Sequence, residues 1–332
     1  MESRPLGSSG IKVSVVGLGC WPMGGEAWGG ANDAESIRTI HKALDLGVDL
    51  FDTAEAYGAG HSEEVLGRGL AGRRSQAVIS TKAAAHHLAP PDLQEALEGS
   101  LKRLQTDYVD IYFVHWPVAD VPLADTIGKL EDLRREGKIR AIGVSNFRVD
   151  QLQEAMQYGR VDVVQPPYSL LWRLIEGDLL PFCQANGIGI MTYSSLAQGI
   201  LTGAITADTK FPEGDQRPRT TLFQPEILAR GLEVVEQLKP IAARHKVTLA
   251  QLALNWVISR PGVTTALVGA RTPDEIAENA GALGWSVTED EAALMDEVSR
   301  PVLEAIKDKY PTMFTTLNIP TLKGNTFYLK KA

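Results

Sequence analysis

The sequence predicts an α/β fold of the (β/α)8 TIM-barrel type, with an N-terminal β-hairpin and extra helices near the C-terminus. Two observations support this prediction. Eight short apolar segments alternate with segments of helical periodicity, and several of the apolar segments end in a polar residue. A doubly wound sheet is the alternative, but Gly17-Leu18-Gly19 is followed by Trp and Pro rather than by a dinucleotide-binding Gly-x-Gly-x-x-Gly turn.

The elements follow one another with short connections. Turn residues between two apolar pieces predict a hairpin over 4–14. The eight barrel strands are expected over 14–19, 48–51, 77–82, 109–114, 139–144, 161–164, 188–193 and 264–268. Helices are expected from a cap at Asn32 or Asp33 to Gly47, and over 62–71, 90–101, 123–136, 151–158, 176–186, 232–245, 249–259, 274–283 and 289–300. The segment 197–230 breaks the alternation of strands and helices, and the tail 301–332 shows no clear helical or strand periodicity. The whole chain, 1–332, is expected to form one barrel domain.

Composition excludes several classes of protein. The net charge of -8 provides no excess positive field, so a nucleic-acid partner is not expected. Only two cysteines occur, far apart, which argues against a disulfide framework. Residues 1–7 lack the apolar stretch of a secretory signal, and no run approaches the roughly 18 apolar residues of a membrane span. We therefore expect a cytoplasmic protein with no membrane partner; the oligomeric state cannot be inferred.

Polar residues lie at the ends of three predicted strands. These are Asp52, Lys82 and His115, and Tyr57 follows Asp52 in a Gly-containing loop. Because parallel strands of a barrel end on one face, the four side chains are expected to meet there. A tyrosine with its ordinary pKa of about 10 is a poor acid at neutral pH, so we expect the Lys82 ammonium to favour the phenolate. Each residue alone is more often a cap, packing or a solvated side chain, but four such coincidences at successive strand ends favour a catalytic site.

The motifs around these residues resemble those of the aldo-keto reductase superfamily over nearly all of residues 4–300. They occur in the family's order: Gly17-Leu18-Gly19-Cys20-Trp21, Phe51-Asp52-Thr53-Ala54-Glu55-Ala56-Tyr57-Gly58, Ser80-Thr81-Lys82, Val114-His115-Trp116-Pro117, Gly143-Val144-Ser145-Asn146-Phe147, Gln165-Pro166-Pro167-Tyr168, Tyr193-Ser194-Ser195-Leu196 and Val268-Gly269-Ala270-Arg271-Thr272-Pro273. The Gly- and Trp-rich loop over 21–30 is similar to that of the bacterial branch containing general stress and inositol-locus reductases.

The resemblance implies an NAD(P)H-dependent oxidoreductase that interconverts carbonyls (aldehydes, ketones or sugars) and alcohols by hydride transfer. It implies that Tyr57 is the general acid/base, assisted by Asp52, Lys82 and His115. The second hypothesis is a nucleotide-binding, redox-sensing interaction protein with slow turnover, similar to the potassium-channel β-subunit relatives. The physiological substrate is not readable from the sequence.

The resemblance also implies binding residues. Ser145, Asn146 and Gln165 correspond to the residues that bind the nicotinamide carboxamide, and Tyr193 to the residue that stacks on its ring. Further implied cofactor contacts are Gly19, Cys20, Trp21, Asp52, Ser194, Leu196, Gln198, Gly199, Gly269, Arg271, Thr272, Glu275, Glu278 and Asn279. The implied substrate residues are Trp21, Trp28, Tyr57, His115, Trp116 and Tyr168.

The adenine end of the nucleotide site departs from the family pattern. Many members have Lys-Ser and a following Arg here, whereas this chain has Gly269-Ala270 and Glu275. Arg271 is expected to replace the lost cations, since a guanidinium can bind a phosphate bidentately. We expect NADP as the cofactor, with NAD held through Glu275 and a ribose hydroxyl as the alternative.

A metal-dependent barrel hydrolase is a third and weaker hypothesis. His86, His87 and His115 lack a His-x-His pair with accompanying carboxylates, so no metal is expected, and His86-His87 is expected on the loop surface.

Two segments leave alternatives open. The segment 197–230 is either a lid over the cofactor or an ordinary surface loop. The tail aromatics Phe314, Phe327 and Tyr328 either reach the pocket or pack on the barrel.

Overall fold

The computed structural model describes residues 1–309, 313 and 314, and within them eight parallel strands form a closed barrel. An antiparallel pair, β1 (Ser3–Pro5) and β2 (Lys12–Ser14), precedes the barrel. The barrel strands are β3 (Val16–Gly19), β4 (Leu50–Asp52), β5 (Val78–Ala83), β6 (Val109–Val114), β7 (Ile139–Ser145), β8 (Val163–Gln165), β9 (Gly189–Thr192) and β10 (Thr265–Gly269). β10 pairs with β3 and closes the ring, which confirms the predicted fold class and hairpin.

Ten α-helices in the described part of the chain surround the barrel. They are α1 (Asp33–Asp45), α2 (His61–Gly69), α3 (Pro90–Leu104), α4 (Leu123–Arg135), α5 (Val149–Ala155), α6 (Leu179–Asn186), α7 (Pro225–His245), α8 (Leu249–Ile258), α9 (Pro273–Ala280) and α10 (Glu289–Ile306). The cap predicted for α1 is Asn32, whose side chain accepts a hydrogen bond from the backbone N–H of Glu35. The extra helix after β10 is α10.

The barrel interior is a packed core rather than a pore. Inward side chains of the strands form one apolar cluster that includes Leu50, Phe113 and Met191. Leu6 and Ile11 of the N-terminal hairpin segment join this cluster, so the hairpin covers the N-terminal end of the barrel. A second, larger cluster fills the space between the strands and the helices. The C-terminal face is the end of the barrel that the hairpin leaves open to a site.

The two largest differences between the expected and the observed helix boundaries are at the start of α7 and the end of α10. α7 begins at Pro225 rather than at 232, because Pro occupies its first turn, where no intrahelical N–H bond is lost. α10 continues through Pro301 to Ile306, because buried Val302 and Ile306 extend the apolar stripe of the helix. The expected irregular segment is therefore shorter, and the tail begins later. Phe327 and Tyr328 lie outside the described residues.

Two further observations concern the helices and the cysteines. None of the helices in residues 1–309 combines the length and apolar character needed to cross a bilayer. Cys20 and Cys183 are both free thiols and both buried.

The tight interior predicts a marked effect of one methyl group. A Cβ on Gly143 of β7 would overlap the ring of Phe113, whereas a Cβ on Gly128 of α4 would meet nothing within 4 Å. We expect Gly143→Ala to lower the free energy of unfolding in urea by about 1–3 kcal/mol. Gly128→Ala, the matched control, is expected to leave it equal or slightly higher because alanine favours helix. Equal effects of the two substitutions would contradict this packing.

Candidate active site

The C-terminal ends of the strands surround a cavity of about 1130 Å³. This is the face on which barrel enzymes carry their sites. The expected site residues in its wall are Gly19, Trp21, Trp28, Asp52, Tyr57, His115, Trp116, Ser145, Asn146, Gln165, Tyr193, Ser194, Leu196, Gln198, Gly199, Gly269, Arg271, Glu275, Glu278 and Asn279. Most of the residues singled out in the sequence therefore meet around one space.

Lys82 lies beside this wall and is completely buried. Its Nζ donates to Asp52 Oδ2 at 2.6 Å, to the backbone oxygen of Thr53 at 2.6 Å and to the Tyr57 hydroxyl at 3.3 Å. Burial lowers the pKa of Lys82, and the charge and hydrogen bond of Asp52 oppose that shift. Because all three donors have partners, the ammonium has one fixed position next to Tyr57.

The other oxygen of Asp52 is held by two neutral donors. Oδ1 accepts a hydrogen bond from Ser80 Oγ at 2.7 Å and another from Gln165 Nε2 at 2.8 Å. Strands β4, β5 and β8 therefore contribute to one network around a single carboxylate. The orientation of that carboxylate leaves Oδ2 for the Lys82 ammonium.

The pKa of Tyr57 is raised rather than lowered. Burial raises this pKa well above its ordinary value, and the nearby charge of Asp52 raises it further. The 3.3 Å contact with the Lys82 ammonium does not outweigh this burial, so the expected net lowering of the pKa of the phenol by Lys82 does not appear. The phenol consequently keeps its proton at neutral pH.

His115 stands edge-on to Tyr57, with ring centroids 5.7 Å apart. Burial lowers the pKa of His115 well below its ordinary value, and the Lys82 charge acts in the same direction. The imidazole is therefore neutral at neutral pH, with one nitrogen that donates and one that accepts.

Polar groups at the ends of β7, β8 and β9 are linked to one another. Tyr193 Oη donates to Asn146 Oδ1 at 2.8 Å, and Asn146 Nδ2 donates to Ser145 Oγ at 3.0 Å. Ser145 Oγ donates in turn to the backbone oxygen of Gln165 at 2.8 Å. Asn146 and Ser194 have φ values of 63° and 54°, a left-handed conformation that non-glycine residues adopt at a cost and that is common at functional sites.

Three buried N–H donors in the cavity wall have no hydrogen-bond partner among the described residues. They are Trp28 Nε1, Gln198 Nε2 and Gln216 Nε2. The amide of Gln198 is oriented by its Oε1, which accepts a hydrogen bond from Thr220 Oγ1 at 2.9 Å. Unused buried donors indicate a ligand rich in acceptors, and the diphosphate of a nucleotide has this chemistry.

Two arginines stand at the same end of the cavity. Arg217 pairs with Asp215 at 2.6 Å, and its guanidinium lies 5.3 Å from the centre of the Trp28 ring. Arg271 Nη1 donates to the backbone oxygen of Trp28 at 3.4 Å. The backbone N–H of Arg271 donates to Glu275 Oε2 at 2.6 Å, so the Glu275 carboxylate contacts the main chain of Arg271.

The irregular segment and the loop after β3 contact each other across this end. The backbone N–H of Gln216 donates to the backbone oxygen of Ala27 at 3.2 Å. A Cβ on Gly29 would lie 2.8 Å from Pro212 Cγ. The segment thus lies against a cavity-lining loop, as a lid does.

An aromatic part of the cavity wall adjoins the arginines through Trp28. Trp21 stacks on Tyr57 with ring centroids 5.5 Å apart, and Trp28 meets the edge of Trp21 at 5.4 Å. Phe314 contacts both Trp21, at 6.2 Å, and Trp116, at 6.1 Å. The tail therefore reaches the pocket through Phe314.

Besides Lys82, three expected site residues lie outside the wall. Tyr168 is fully buried, donates its hydroxyl to Glu176 Oε1 at 2.7 Å and stacks on Trp256, so its assignment to the substrate pocket is wrong. Cys20 is completely buried and belongs to the large apolar cluster between strands and helices, so its thiol does not line the cavity. Thr272 uses its side chain to cap α9.

Other residues of the wall were not expected. His86 and His87 are half-buried and line the cavity, so the prediction of a loop surface is wrong. Glu55 and Arg217 also line it. Ser80 lies outside the wall and bonds Asp52, and its role could have been predicted from the sequence. It lies two residues before Lys82, and alternate residues of a strand point to the same side. Among the residues described, no three His, Cys, Asp or Glu side chains are grouped as metal ligands.

Comparisons with known proteins agree with this geometry. The sequence model of the Aldo/keto reductase family matches residues 15–300. The NADH-specific methylglyoxal reductase of Escherichia coli (strain K12) is 38% identical over 323 residues, covering 90% of this chain and 98% of the relative. The glycerol dehydrogenase of Gluconobacter oxydans has a TM-score of 0.83 at 32% identity, covering 95% of this chain and 98% of that chain. An aldo-keto reductase of Klebsiella pneumoniae in complex with NADPH has a TM-score of 0.77 at 31% identity, covering 96% of this chain and 100% of that chain.

The buried ion pair predicts a specific loss of stability. Asp52→Asn leaves the Lys82 ammonium buried without a counter-charge, so we expect the free energy of unfolding in urea to fall by about 3–5 kcal/mol at neutral pH. The deficit shrinks as pH rises, because a deprotonated Lys82 no longer needs the carboxylate. Ser80→Ala removes one neutral hydrogen bond from the same carboxylate and is expected to cost only about 1 kcal/mol. A loss no larger for Asp52→Asn than for Ser80→Ala would show that the charge pairing is unimportant.

Proposed function

Because the chain belongs to the aldo/keto reductase family, we propose that it reduces carbonyl groups of small molecules with a nicotinamide nucleotide and uses Tyr57 as the proton donor. The observation that carries the proposal is the 3.3 Å contact between the Tyr57 hydroxyl and the buried Lys82 ammonium, on the wall of the cavity. The chain is an oxidoreductase, and the proposal concerns the residues and substrates of its reaction.

The proton chemistry follows from the charge states of the site. Negative charge develops on the substrate oxygen as its carbon is reduced, and a protonated Tyr57 can donate a proton to that oxygen. Lys82 then stabilises the phenolate that remains, since its ammonium already contacts the hydroxyl. The neutral His115 ring can donate a second hydrogen bond to the same oxygen and orient it.

The nucleotide would be held along the other side of the cavity. We assign the carboxamide of the nicotinamide to Ser145, Asn146 and Gln165, and the face of its ring to Tyr193. When bound, the reduced nicotinamide supplies the hydride. These side chains are already linked by hydrogen bonds of 2.8–3.0 Å, so they are ordered before the ligand binds.

The diphosphate and adenine end would meet the unpartnered donors and the arginines. Gln198 and Gln216 supply N–H groups, and Arg217 and Arg271 supply positive charge. The Glu275 carboxylate accepts the backbone N–H of Arg271, which leaves the guanidinium available to a 2′-phosphate. We therefore propose NADP as the preferred cofactor. The alternative is NAD, because the Escherichia coli relative is named as an NADH-specific reductase.

The site gives no support to a macromolecular partner. We propose small carbonyl, alcohol or sugar compounds as substrates and a cytoplasmic location. The location is supported by two free, buried thiols, Cys20 and Cys183, which suit a reducing compartment.

Nucleotide titration followed by turnover tests the proposed function. The purified protein is titrated with NADPH and with NADH by nicotinamide fluorescence, and then supplied with short aldehydes. We expect micromolar binding of NADPH and aldehyde-dependent oxidation of the nucleotide. Binding without turnover on a broad panel of carbonyls and polyols would favour the redox-sensing interaction protein instead. Absence of binding by either nucleotide would refute the proposal.

Nucleotide preference should depend on one guanidinium. Arg271→Ala removes a charge-assisted contact to the 2′-phosphate, so we expect the Kd for NADPH to rise by about 10–100-fold. NADH lacks that phosphate, and its Kd is expected to change little. Arg271→Lys, the matched control, keeps the charge and is expected to fall between wild type and Arg271→Ala. An equal loss for both nucleotides would mean that Arg271 does not contact the 2′-phosphate.

A further inference from the structure

The cavity wall beside the reaction centre contains a polar cluster that the proton chemistry does not use. Glu55 Oε1 accepts a hydrogen bond from the backbone N–H of Ala84 at 2.5 Å, which ties the Tyr57 loop to the loop after β5. His87 Nδ1 lies 3.0 Å from Glu55 Oε1 and 3.1 Å from Oε2. Since a carboxylate only accepts, His87 donates through Nδ1. Glu55 therefore leaves Nε2 of His87 unused.

His86 stands beside His87, with ring centroids 3.9 Å apart. Burial lowers the pKa of His86 and the neighbouring His87 lowers it further, so the ring is neutral at neutral pH. Its Nδ1 is buried and has no hydrogen-bond partner among the described residues. Because His86 lines the cavity and no described protein group bonds its Nδ1, this nitrogen is left for a ligand.

The cluster lies close to the reaction centre along the chain. Glu55 precedes Tyr57 by two residues, and Ala84 follows Lys82 by two. The neighbouring wall positions along the chain are the small residues Ala56, Ala84 and Ala85, and they line the same cavity of about 1130 Å³ as Tyr57 and the two imidazoles. A substrate whose carbonyl oxygen reaches Tyr57 would therefore direct part of its carbon chain toward this cluster.

From these contacts we infer that His86, His87 and Glu55 form a subsite for hydroxyl groups on the carbon chain next to the carbonyl. The inference rests on the proposed carbonyl reduction at Tyr57. The inference names the residues that would favour a hydroxylated aldehyde over the unsubstituted aldehyde of the same length.

The chemistry of the cluster selects among ligands. A hydroxyl group both donates and accepts, which matches the unused Nδ1 of the neutral His86 ring and the Nε2 of His87 that Glu55 leaves unused. A carboxylate only accepts hydrogen bonds and is repelled by Glu55. An alkyl group leaves the polar atoms unpaired at a cost. Arg103, one of the arginines in the cavity wall, is already paired with Glu63 at 2.6 Å, so it does not reverse this preference.

A series of three-carbon aldehydes tests the subsite. Propanal, 2-hydroxypropanal and 2,3-dihydroxypropanal differ only in the number of hydroxyls, and kcat/KM with NADPH is expressed per free aldehyde. Wild type is expected to gain about fivefold per hydroxyl. His86→Leu is expected to reduce the ratio of the dihydroxy to the plain aldehyde by about fivefold or more, through KM rather than kcat. His86→Gln, which can still donate and accept, should restore most of the ratio.

His41→Leu, on the outer surface of α1, serves as the control and should keep the wild-type ratio. A wild-type ratio in His86→Leu would overturn the subsite while leaving carbonyl reduction intact. If wild type itself used 2,3-dihydroxypropanal and propanal with nearly equal kcat/KM, the subsite would be overturned as well. If wild type reduced none of the three aldehydes with NADPH or NADH, the proposed function would fail and the subsite with it.

Discussion

The buried ion pair between Lys82 and Asp52 is the constraint on which the site depends. A fully buried ammonium is tolerated only where a counter-charge and further acceptors surround it, and here Asp52, Thr53 and Tyr57 provide them. The pairing register of β4 with β5 sets Asp52 opposite Ser80, which places two of the three side-chain donors to the carboxylate, Ser80 and Lys82, on one side of β5. A slip by one residue would turn Lys82 to the outer face and leave both charges unmatched.

The barrel separates this demanding chemistry from the parts that secure the fold. Apolar side chains fill the barrel interior, and the N-terminal hairpin covers its lower end. At the upper end the backbone adopts left-handed conformations at Asn146 and Ser194, and buried donors such as Gln198 Nε2 have no partner among the described residues. A rigid scaffold holds these unfavourable conformations and unpaired donors in place, and a bound ligand can supply the missing acceptors.

The sequence predicted the barrel and the charged centre because both depend on local patterns. Asp52, Lys82 and His115 each end an apolar strand, and parallel strands of a barrel must end together. The raised pKa of Tyr57 was missed because it depends on burial and on the nearby charge of Asp52, which no local pattern reveals. Tyr168 was misassigned for a similar reason, since its contact with Glu176 arises only from tertiary packing. Arg217 lies in a segment without period, where position relative to the cavity is set entirely by the fold.

The most direct test of the central claim is hydride transfer in a single turnover. Wild type and Tyr57→Phe, each loaded with a stoichiometric amount of NADPH, are mixed with excess aldehyde while the absorbance of the reduced nicotinamide is followed. If Tyr57 is the proton donor held by Lys82, the variant retains the nucleotide Kd and loses about 10²–10⁴-fold in rate. A variant that binds NADPH normally and reacts at nearly the wild-type rate would contradict that role.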